Sequence, residues 1–279
     1  MLKSHRMAVI PFSPKRLDEE LAILDNLDAA AEYDAFTFGS WTSHVLANGS
    51  GSASDTAFQP HDNGLHHTEL GDRLPTIMGL IHDHFNVEHL QWARIFRLHK
   101  GILAPHVDFL EFEQPGVRLQ LPLQTSVESL HTENDLVYHL RRGEVWRIHT
   151  TDPHSAYSSS EESRLSLCLD FAEGHFDPER DITGNITPTE DVYLHDRPVF
   201  ADGELDEIIA NAKPTRQNAR DVFGSLAAVH YQRQSNATEV FDWFERAARA
   251  TGDDELIAKA IAFRTYCIHK RAYKEDFVW

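Results

Sequence analysis

The spacing of apolar residues changes at QWARIFRLHKGILAPHVD, residues 91–108. From here on, short runs in which apolar and polar residues alternate replace the helical periodicity of the preceding segment. The pattern predicts a β-strand over residues 93–98, and residues 101–110 are again rich in strand-forming types. Turn signals such as Gln114-Pro115-Gly116 separate the runs that follow. Those runs cover residues 117–123, 136–140, 144–149 and 164–171. Short strands at this spacing predict an antiparallel barrel or sandwich.

Helical patterns lie on both sides of this β-rich segment. Ser13-Pro14 is typical of a helix start, and leucines at helical spacing extend the pattern over residues 14–27. A second helical pattern covers residues 74–85, after a mixed, aromatic stretch that predicts a strand over residues 33–46. The sequence therefore predicts three parts: N-terminal helices plus a β-rich core over residues 1–175, a linker over 176–204 and a helical domain over 205–279.

Composition excludes several classes of protein. The chain has 279 residues, 41% hydrophobic and 25% charged, which is typical of a globular protein with a sizeable core. No run approaches the roughly 18 apolar residues of a membrane span, and the start is too short and polar for a signal peptide. With 44 acidic and 26 basic residues, the net charge of −18 disfavours binding to nucleic acid. Two cysteines cannot form a disulfide framework, so we expect a cytoplasmic protein without a membrane partner.

Histidine is unusually frequent, with 18 residues, and it is the side chain that most often binds metals. The pattern to test is His-x-Asp/Glu with a distant second histidine, the ligand set of the 2-His-1-carboxylate iron(II) oxygenases. Such a set covers one face of the metal and leaves positions open for cosubstrate and oxygen. With so many acids, about three His-x-Asp/Glu pairs are expected by chance, and the chain has four. They are His67/Glu69, His106/Asp108, His131/Glu133 and His175/Asp177.

The sequence around each pair favours His106/Asp108 as the metal-binding pair. His106 and Asp108 follow a predicted strand, where residues i and i+2 point the same way, and His154 comes after several more strands. Arg164 opens the next strand and would bind the far carboxylate of 2-oxoglutarate in a bidentate manner. Ser166 lies on the same side of that strand and adds a hydroxyl for the same carboxylate. This order predicts a 2-oxoglutarate-dependent iron(II) oxygenase.

The other three pairs fit less well. From His131/Glu133 to His154 there are only 20 residues, too few for the intervening strands. A predicted helix fills the gap after His67/Glu69, and no later histidine–arginine pair follows His175/Asp177 at similar spacing.

Several segments resemble the bacterial free L-proline hydroxylases, in the same order along the chain. They are residues 32–51, 91–108, 118–123, 143–146 (GEVW), 154–156 (HSA), 164–171 and 230–258 (HYQRQSNATEVFDWFERAARATGDDELIA). The resemblance implies hydroxylation of a free cyclic amino acid that depends on Fe(II), 2-oxoglutarate and O2, with ascorbate as a reductant in vitro. It also implies a mainly β fold with α-helices: a double-stranded β-helix core of the jelly-roll or cupin type, N-terminal helices and a C-terminal helical domain.

Residue by residue, the resemblance implies that His106, Asp108 and His154 hold the iron. It implies that Arg164 anchors 2-oxoglutarate, and this sequence does not depart from the family at these four positions.

The substrate would carry a carboxylate of its own, which needs a second cation inside the barrel. Arg94 and Arg118 lie in predicted strands and match family positions, so we expect them to bind that carboxylate. Ordinary salt bridges to the many acids are the alternative. His131 and Trp146 are further candidates for substrate contact, with a surface histidine and a core tryptophan as the alternatives.

The sequence leaves the substrate open. The C-terminal region and the stretch around His131 are more similar to the proline 3-hydroxylases than to the cis-4-hydroxylases. Pipecolate hydroxylases and acyclic amino acid hydroxylases of the arginine or citrulline type are related, so L-proline, L-pipecolate and acyclic substrates remain alternatives.

Other classes of function also remain. They are a cupin-like metal-binding protein without 2-oxoglutarate turnover and a binding module on a degenerate oxygenase fold. The Arg164-x-Ser166 pair argues against the first, and the intact triad argues against the second. The C-terminal domain forms either a homodimer interface or a buttress for the barrel.

Overall fold

A computed structural model describes residues 2–27, 34–55, 64–110, 116–172, 174–183, 192–272 and 275–279. The helices are α1 (Pro14–Asp25), α2 (Glu69–Asp72), α3 (Pro75–His84), α4 (Pro178–Asp181), α5 (Glu204–Ala212), α6 (Ala219–Val229), α7 (Glu239–Thr251) and α8 (Asp254–Arg264), which continues into a π-helical turn, Thr265–His269. The strands are β1 (His5–Val9), β2 (Thr37–Asn48), β3 (His66–His67), β4 (Leu90–Leu103), β5 (Val117–Gln124), β6 (Ser129–Glu133), β7 (Leu136–His139), β8 (Glu144–Ile148), β9 (His154–Ser158), β10 (Arg164–Phe171) and β11 (Tyr193–Leu194).

The strands form a curled antiparallel sheet in the order β1-β8-β5-β10-β4-β9-β6-β7-β11, with β2 also on β4 and β3 on β2. β4 is the strand that turns from one layer into the other. It pairs with β10 and β2 along most of its length and reaches β9 only at its end, where Gly101 lies opposite Ser158. Because β10 and β9 pair with successive stretches of the same edge of β4, the sheet divides at this strand into two layers, and the core is of the jelly-roll type, as predicted.

β10 shows how the core separates its two faces. Its sequence RLSLCLDF alternates, and all eight residues are buried. The apolar set, from Leu165 to Phe171, packs with leucines of α1 and isoleucines of α3 in one hydrophobic cluster. The polar set faces the barrel interior, because Arg164 and Asp170 both hydrogen-bond side chains of β5. Alternation with period two therefore delivers polar groups to the interior while the outer face is covered by helices.

The C-terminal helices cover the opposite layer. Leu130 of β6 and Val137 of β7 share a hydrophobic cluster with Phe223 of α6 and with Phe241 and Phe244 of α7. The predicted helices and their apolar stripes are thus confirmed. The segment predicted as a linker contributes β11, which extends the sheet by pairing with β7, and the division into domains stays a prediction.

In the part of the chain that the structure describes, no helix combines the length and the apolarity that crossing a membrane requires.

Candidate active site

The backbone brings two sequence-distant histidines together. His106 follows the end of β4, and His154 begins β9. The two residues form a single antiparallel bridge, in which the N–H of each donates to the carbonyl of the other at 2.9 and 3.0 Å. Asp108 is held to the same region because its N–H donates to the carbonyl of Thr150 at 2.9 Å. Hydrogen bonds between backbone groups thus define the relative positions of these three residues.

The side chains of His106, Asp108 and His154 converge. Their candidate ligand atoms all lie within 4.8 Å of one another. His106 Nε2 is 3.5 Å from one oxygen of Asp108, and His154 Nε2 is 3.6 Å from the other. The rings of the two histidines are 4.3 Å apart between centroids.

The hydrogen bonds of the two imidazoles suit them to bind a metal. Nδ1 of His106 donates to the carbonyl of Ala104 at 2.8 Å, and Nδ1 of His154 donates to that of Asp152 at 3.0 Å. Each bond selects the tautomer in which Nε2 carries a lone pair, which is how protein histidines are commonly oriented toward metals. Two such nitrogens and a carboxylate on one side fit an iron(II) ion with open positions.

Asp108 is ionised as a metal ligand must be. Burial alone would raise the pKa of its carboxyl, but the charge of the Arg118 guanidinium holds that pKa well below its usual range. Arg118 also forms an ion pair with Asp108 directly. The carboxylate is therefore available to a metal without first losing a proton.

Arg164 is a buried cation with neutral partners. It is 4% exposed, its Nη2 donates to Gln120 Oε1 at 2.8 Å, and it also contacts His131 Nε2. Burial first, and then the charge of Arg164, hold the pKa of His131 well below its usual value, so this histidine is neutral. Burial lowers the pKa of Arg164 to about 10. Among the described residues no carboxylate offsets this charge, although buried charges are normally paired.

Ser166 supplies a second group to the same pocket. It lies two positions after Arg164 on β10 and is fully buried. Within the described ranges its Oγ has no hydrogen-bond partner. A buried hydroxyl without a partner is uncommon in folded proteins. An unpaired cation beside an unpaired hydroxyl fits an anionic ligand.

The other two arginines predicted to face the substrate lie in a different environment. Arg94 Nη2 is 2.7 Å from Asp170 Oδ2, and Arg118 Nε is 2.8 Å from Asp170 Oδ1. Arg94 is 1% exposed and its guanidinium lies 3.4 Å from the centroid of Trp92, whereas the Arg118 side chain is 11% exposed. Both arginines thus contact the buried carboxylate of Asp170, and Arg118 also pairs with Asp108 of the candidate metal-binding set.

His131 and Trp146, the remaining predicted contacts, lie in the wall of the barrel. His131 stands beside Arg164 and not at the surface. Trp146 is fully buried, donates from Nε1 to Glu144 Oε2 at 2.9 Å and lies 5.5 Å from the Tyr138 ring. The roles of both residues in substrate binding stay predictions.

Sequence reasoning missed Asp170, Gln120 and Phe36. Asp170 and Gln120 were detectable in part, because each lies an even number of residues from a predicted site arginine on the same strand. Phe36 stacks on His106 with 4.8 Å between ring centroids and 29° between planes. Nothing in the local sequence indicates this contact, since Phe36 and His106 belong to distant segments.

Comparisons with known proteins identify the family of the chain. The family model described as aspartyl/asparaginyl β-hydroxylase matches residues 16–173, and the model described as L-proline 3-hydroxylase, C-terminal, matches residues 181–275. An L-proline cis-3-hydroxylase from Streptomyces sp is 32% identical over 99% of this chain and 98% of its own length. An L-proline cis-4-hydroxylase from Rhizobium meliloti is 28% identical over 97% of both chains.

Among solved structures, a 2OG-Fe(II) oxygenase family oxidoreductase from Burkholderia pseudomallei has a TM-score of 0.38 and 13% identity, over 61% of this chain and 84% of that one. This likeness is too distant to bear on the assignment. The matches in sequence extend over the whole chain, and the resemblance noted above is therefore confirmed. The chain belongs to the aspartyl/asparaginyl β-hydroxylase family and, within it, to the L-proline hydroxylases.

Proposed function

We propose that this protein is an Fe(II)- and 2-oxoglutarate-dependent dioxygenase that hydroxylates a ring carbon of a free cyclic imino acid, with L-proline the first substrate to test. The observation that carries the proposal is the buried Arg164, which has only neutral partners among the described residues and lies in the same barrel as a convergent His-Asp-His set. A buried guanidinium of this kind is completed by a carboxylate from a ligand.

His106, Asp108 and His154 would hold the iron. The iron and 2-oxoglutarate together supply the oxidising chemistry, with O2 consumed and 2-oxoglutarate converted to succinate and CO2. The protein's own contribution is to hold the ligands, to orient the substrate and to exclude water.

Arg164 and Ser166 would bind the far carboxylate of 2-oxoglutarate. The guanidinium offers planar N–H donors that match a carboxylate, and Ser166 Oγ has a hydrogen bond to donate. Gln120 and His131 keep Arg164 in place through its other N–H groups. Because His131 is neutral, its Nε2 can accept a hydrogen bond from Arg164 without cancelling the positive charge that would attract the ligand.

Arg118 is the cation best placed to receive the carboxylate of the amino acid. It is more exposed than Arg94, and it lies between Asp170 and the metal ligand Asp108. Asp170 offsets one of the two arginine charges, and a metal would take up much of the charge of Asp108. The remaining positive charge favours an anionic group beside Arg118. Arg94 then supports the site through Asp170.

The relatives bear names that state hydroxylation at carbon 3 or carbon 4 of L-proline. Carbon 3 is the first position to test here, since the matching C-terminal family model carries the 3-hydroxylase description. Cytoplasmic residence and a homodimer remain predictions.

The experiment is a substrate panel with Fe(II), 2-oxoglutarate, ascorbate and O2. It contains L-proline, L-pipecolate, L-arginine and L-citrulline, with mass spectrometry to detect products one oxygen heavier and NMR to locate the hydroxyl. We expect a hydroxylated imino acid from the wild type and none from His106→Ala.

The other outcomes distinguish the alternatives. Turnover of 2-oxoglutarate without oxidation of any panel member would retain the oxygenase and reject the amino acid class. Metal binding without any 2-oxoglutarate turnover would favour the cupin-like alternative.

A further inference from the structure

The C-terminal helices reach the loop that carries two of the metal ligands. Val107, the residue between His106 and Asp108, donates its N–H to the carbonyl of Cys267 at 2.9 Å. Nη2 of Arg271 donates to the carbonyl of Val107 at 3.4 Å. Both backbone groups of the residue that separates two ligands are thus bound by one short C-terminal segment.

The π-helical turn at the end of α8 lets the Cys267 carbonyl accept a hydrogen bond from outside the helix. The π-helical turn that follows α8 closes with a hydrogen bond from the N–H of Lys270 to the carbonyl of Thr265 at 2.9 Å. Carbonyls in the last turn of a helix lack donors within the helix, and π-helical turns are frequent at functional sites. Cys267 is fully buried, so its carbonyl would be costly to leave without the donor from Val107.

A second contact runs through an aromatic ring. Phe36 stacks on His106, and the Arg271 guanidinium carbon lies 5.7 Å from the centroid of Phe36 and 5.4 Å from that of Tyr266. The carbonyl of Phe36 also accepts a hydrogen bond from the N–H of Ala104 at 2.7 Å. Ala104 begins the segment after β4 that carries His106 and Asp108, residues 104–108, which we call the ligand loop. Arg271 therefore touches the loop at Val107 and also touches the ring that supports His106.

Among the described residues, few other backbone hydrogen bonds hold the ligand loop. His106 is joined to His154 by one bridge, and Asp108 by one backbone bond to Thr150, because the loop lies between β4 and β5 and not within a strand. Metal affinity is sensitive to the groups that orient the ligands, whose removal typically costs roughly 10- to 100-fold.

We propose that residues 265–271, together with Phe36, form a positioning element for the iron ligands: they hold the backbone at Val107 and so the relative placement of His106 and Asp108. This inference rests on the proposed iron site. It assigns to the C-terminal helices a role in metal binding that goes beyond covering the sheet.

The test compares Arg271→Met with Arg264→Met. Arg264 is in α8 and pairs with Asp242 at the surface, so its variant makes the same chemical change in the C-terminal part of the chain but away from the loop. Co(II) serves as an oxygen-stable probe, with affinity from titration and ligand geometry from its visible absorption. Thermal unfolding is measured on both variants.

We expect Arg271→Met to bind Co(II) about tenfold more weakly, with an altered absorption spectrum, and Arg264→Met to match the wild type. Arg271→Met should also consume more 2-oxoglutarate per hydroxylated product. A lower unfolding temperature with unchanged Co(II) affinity and spectrum would show a merely structural role and overturn the proposal.

Hydrogen exchange on the wild type provides a test that does not depend on whether a variant folds correctly. Because coupling between two sites is reciprocal, Co(II) binding should slow exchange at the Val107 amide and over residues 265–271. Protection of the loop without protection of residues 265–271 would overturn the proposal. Failure of the wild type to bind Co(II), or equal binding by His106→Ala, would instead reject the iron site itself.

Discussion

Buried arginines occur in two settings inside this barrel, and both settings are built on β10. Asp170, near the end of the strand, accepts hydrogen bonds from Arg94 and Arg118. Arg164, at the start of the strand, hydrogen-bonds Gln120 and the neutral His131 and has no carboxylate partner in the part of the chain that the structure describes. In the metal-free chain, Asp170 and Asp108 supply the two carboxylates that pair with the arginines of the first group, whereas Arg164 has no carboxylate partner among the described residues. The comparison indicates that charge balance, more than burial, distinguishes the arginines that stabilise the ligand-free fold from the arginine that we expect to require an anionic ligand.

The largest effect should come from neutralising the shared carboxylate. Asp170→Asn leaves two buried guanidinium groups without their common anion and should lower the free energy of unfolding by about 3–5 kcal/mol. Urea denaturation of the ligand-free protein measures this. Asp206→Asn is the control, because Asp206 pairs with Arg246 at the surface and should change stability by less than about 1 kcal/mol. Equal losses in both variants would remove the distinction between the two settings.

The opposite result is expected at Arg164. Arg164→Met removes a buried charge for which the described ranges contain no carboxylate partner, so ligand-free stability should stay equal or rise. Binding of 2-oxoglutarate should weaken by about 2–5 kcal/mol, which is at least roughly thirtyfold in Kd. Anaerobic titration with metal present measures the affinity. Arg97→Met, at a side chain that faces Asp25 on the outside, should leave the affinity unchanged; destabilisation as large as that of Asp170→Asn would contradict the comparison.

A smaller effect is expected at Ser166. Ser166→Ala should weaken 2-oxoglutarate binding by about 1.5–3 kcal/mol, because it removes one hydrogen bond to a charged group. Stability without ligand should not fall, since the hydroxyl has no partner among the described residues. Ser43→Ala, at another buried serine of the same kind, is the matched control for affinity. An unchanged Kd for Ser166→Ala would place the carboxylate elsewhere.

The smallest expected effect is on the pH dependence of the free energy of unfolding. The folded-state pKa of His131 lies below its unfolded value of about 6.5, so its contribution to stability is complete above that pH and is lost as the pH falls. Asp108 has a lowered pKa, and its contribution should persist to much more acidic conditions. As the pH falls from 6.5 to 5, His131→Gln should reduce the slope of unfolding free energy against pH by an amount that rises from about 0.7 toward a limit of about 1.4 kcal/mol per pH unit. Identical slopes in wild type and variant would show that His131 is not held neutral.

The fold was predictable where hydrophobic alternation was strong, as in β5 and β10. β6 and β9 were not predicted, because their sequences SLHTE and HSAYS contain few apolar residues although nearly all their side chains are buried. Polar groups such as His131 and His154 are buried there because the barrel interior is polar. A hydrophobicity pattern cannot identify strands whose inner face carries the functional groups.

The candidate site was predictable to the extent that it depends on the order and spacing of residues along the chain. The spacing from His106 to Arg164 selected residues that the fold brings into one barrel. Their partners depend on strand register, which places Asp170 opposite Arg118 and Cys168 opposite Arg94. Such pairings involve residues from separate strands, so no single segment of sequence contains the information.

The hydrogen bond between Val107 and Cys267 also has a consequence for the order of events during synthesis. The proposed histidine ligands, His106 and His154, leave the ribosome well before the C-terminal segment that contacts Val107. Until the chain has been made past Arg271, the loop lacks both of the C-terminal contacts at Val107. Metal loading should therefore be a late step in maturation, and a nascent chain arrested before this segment should capture iron less tightly than the finished protein.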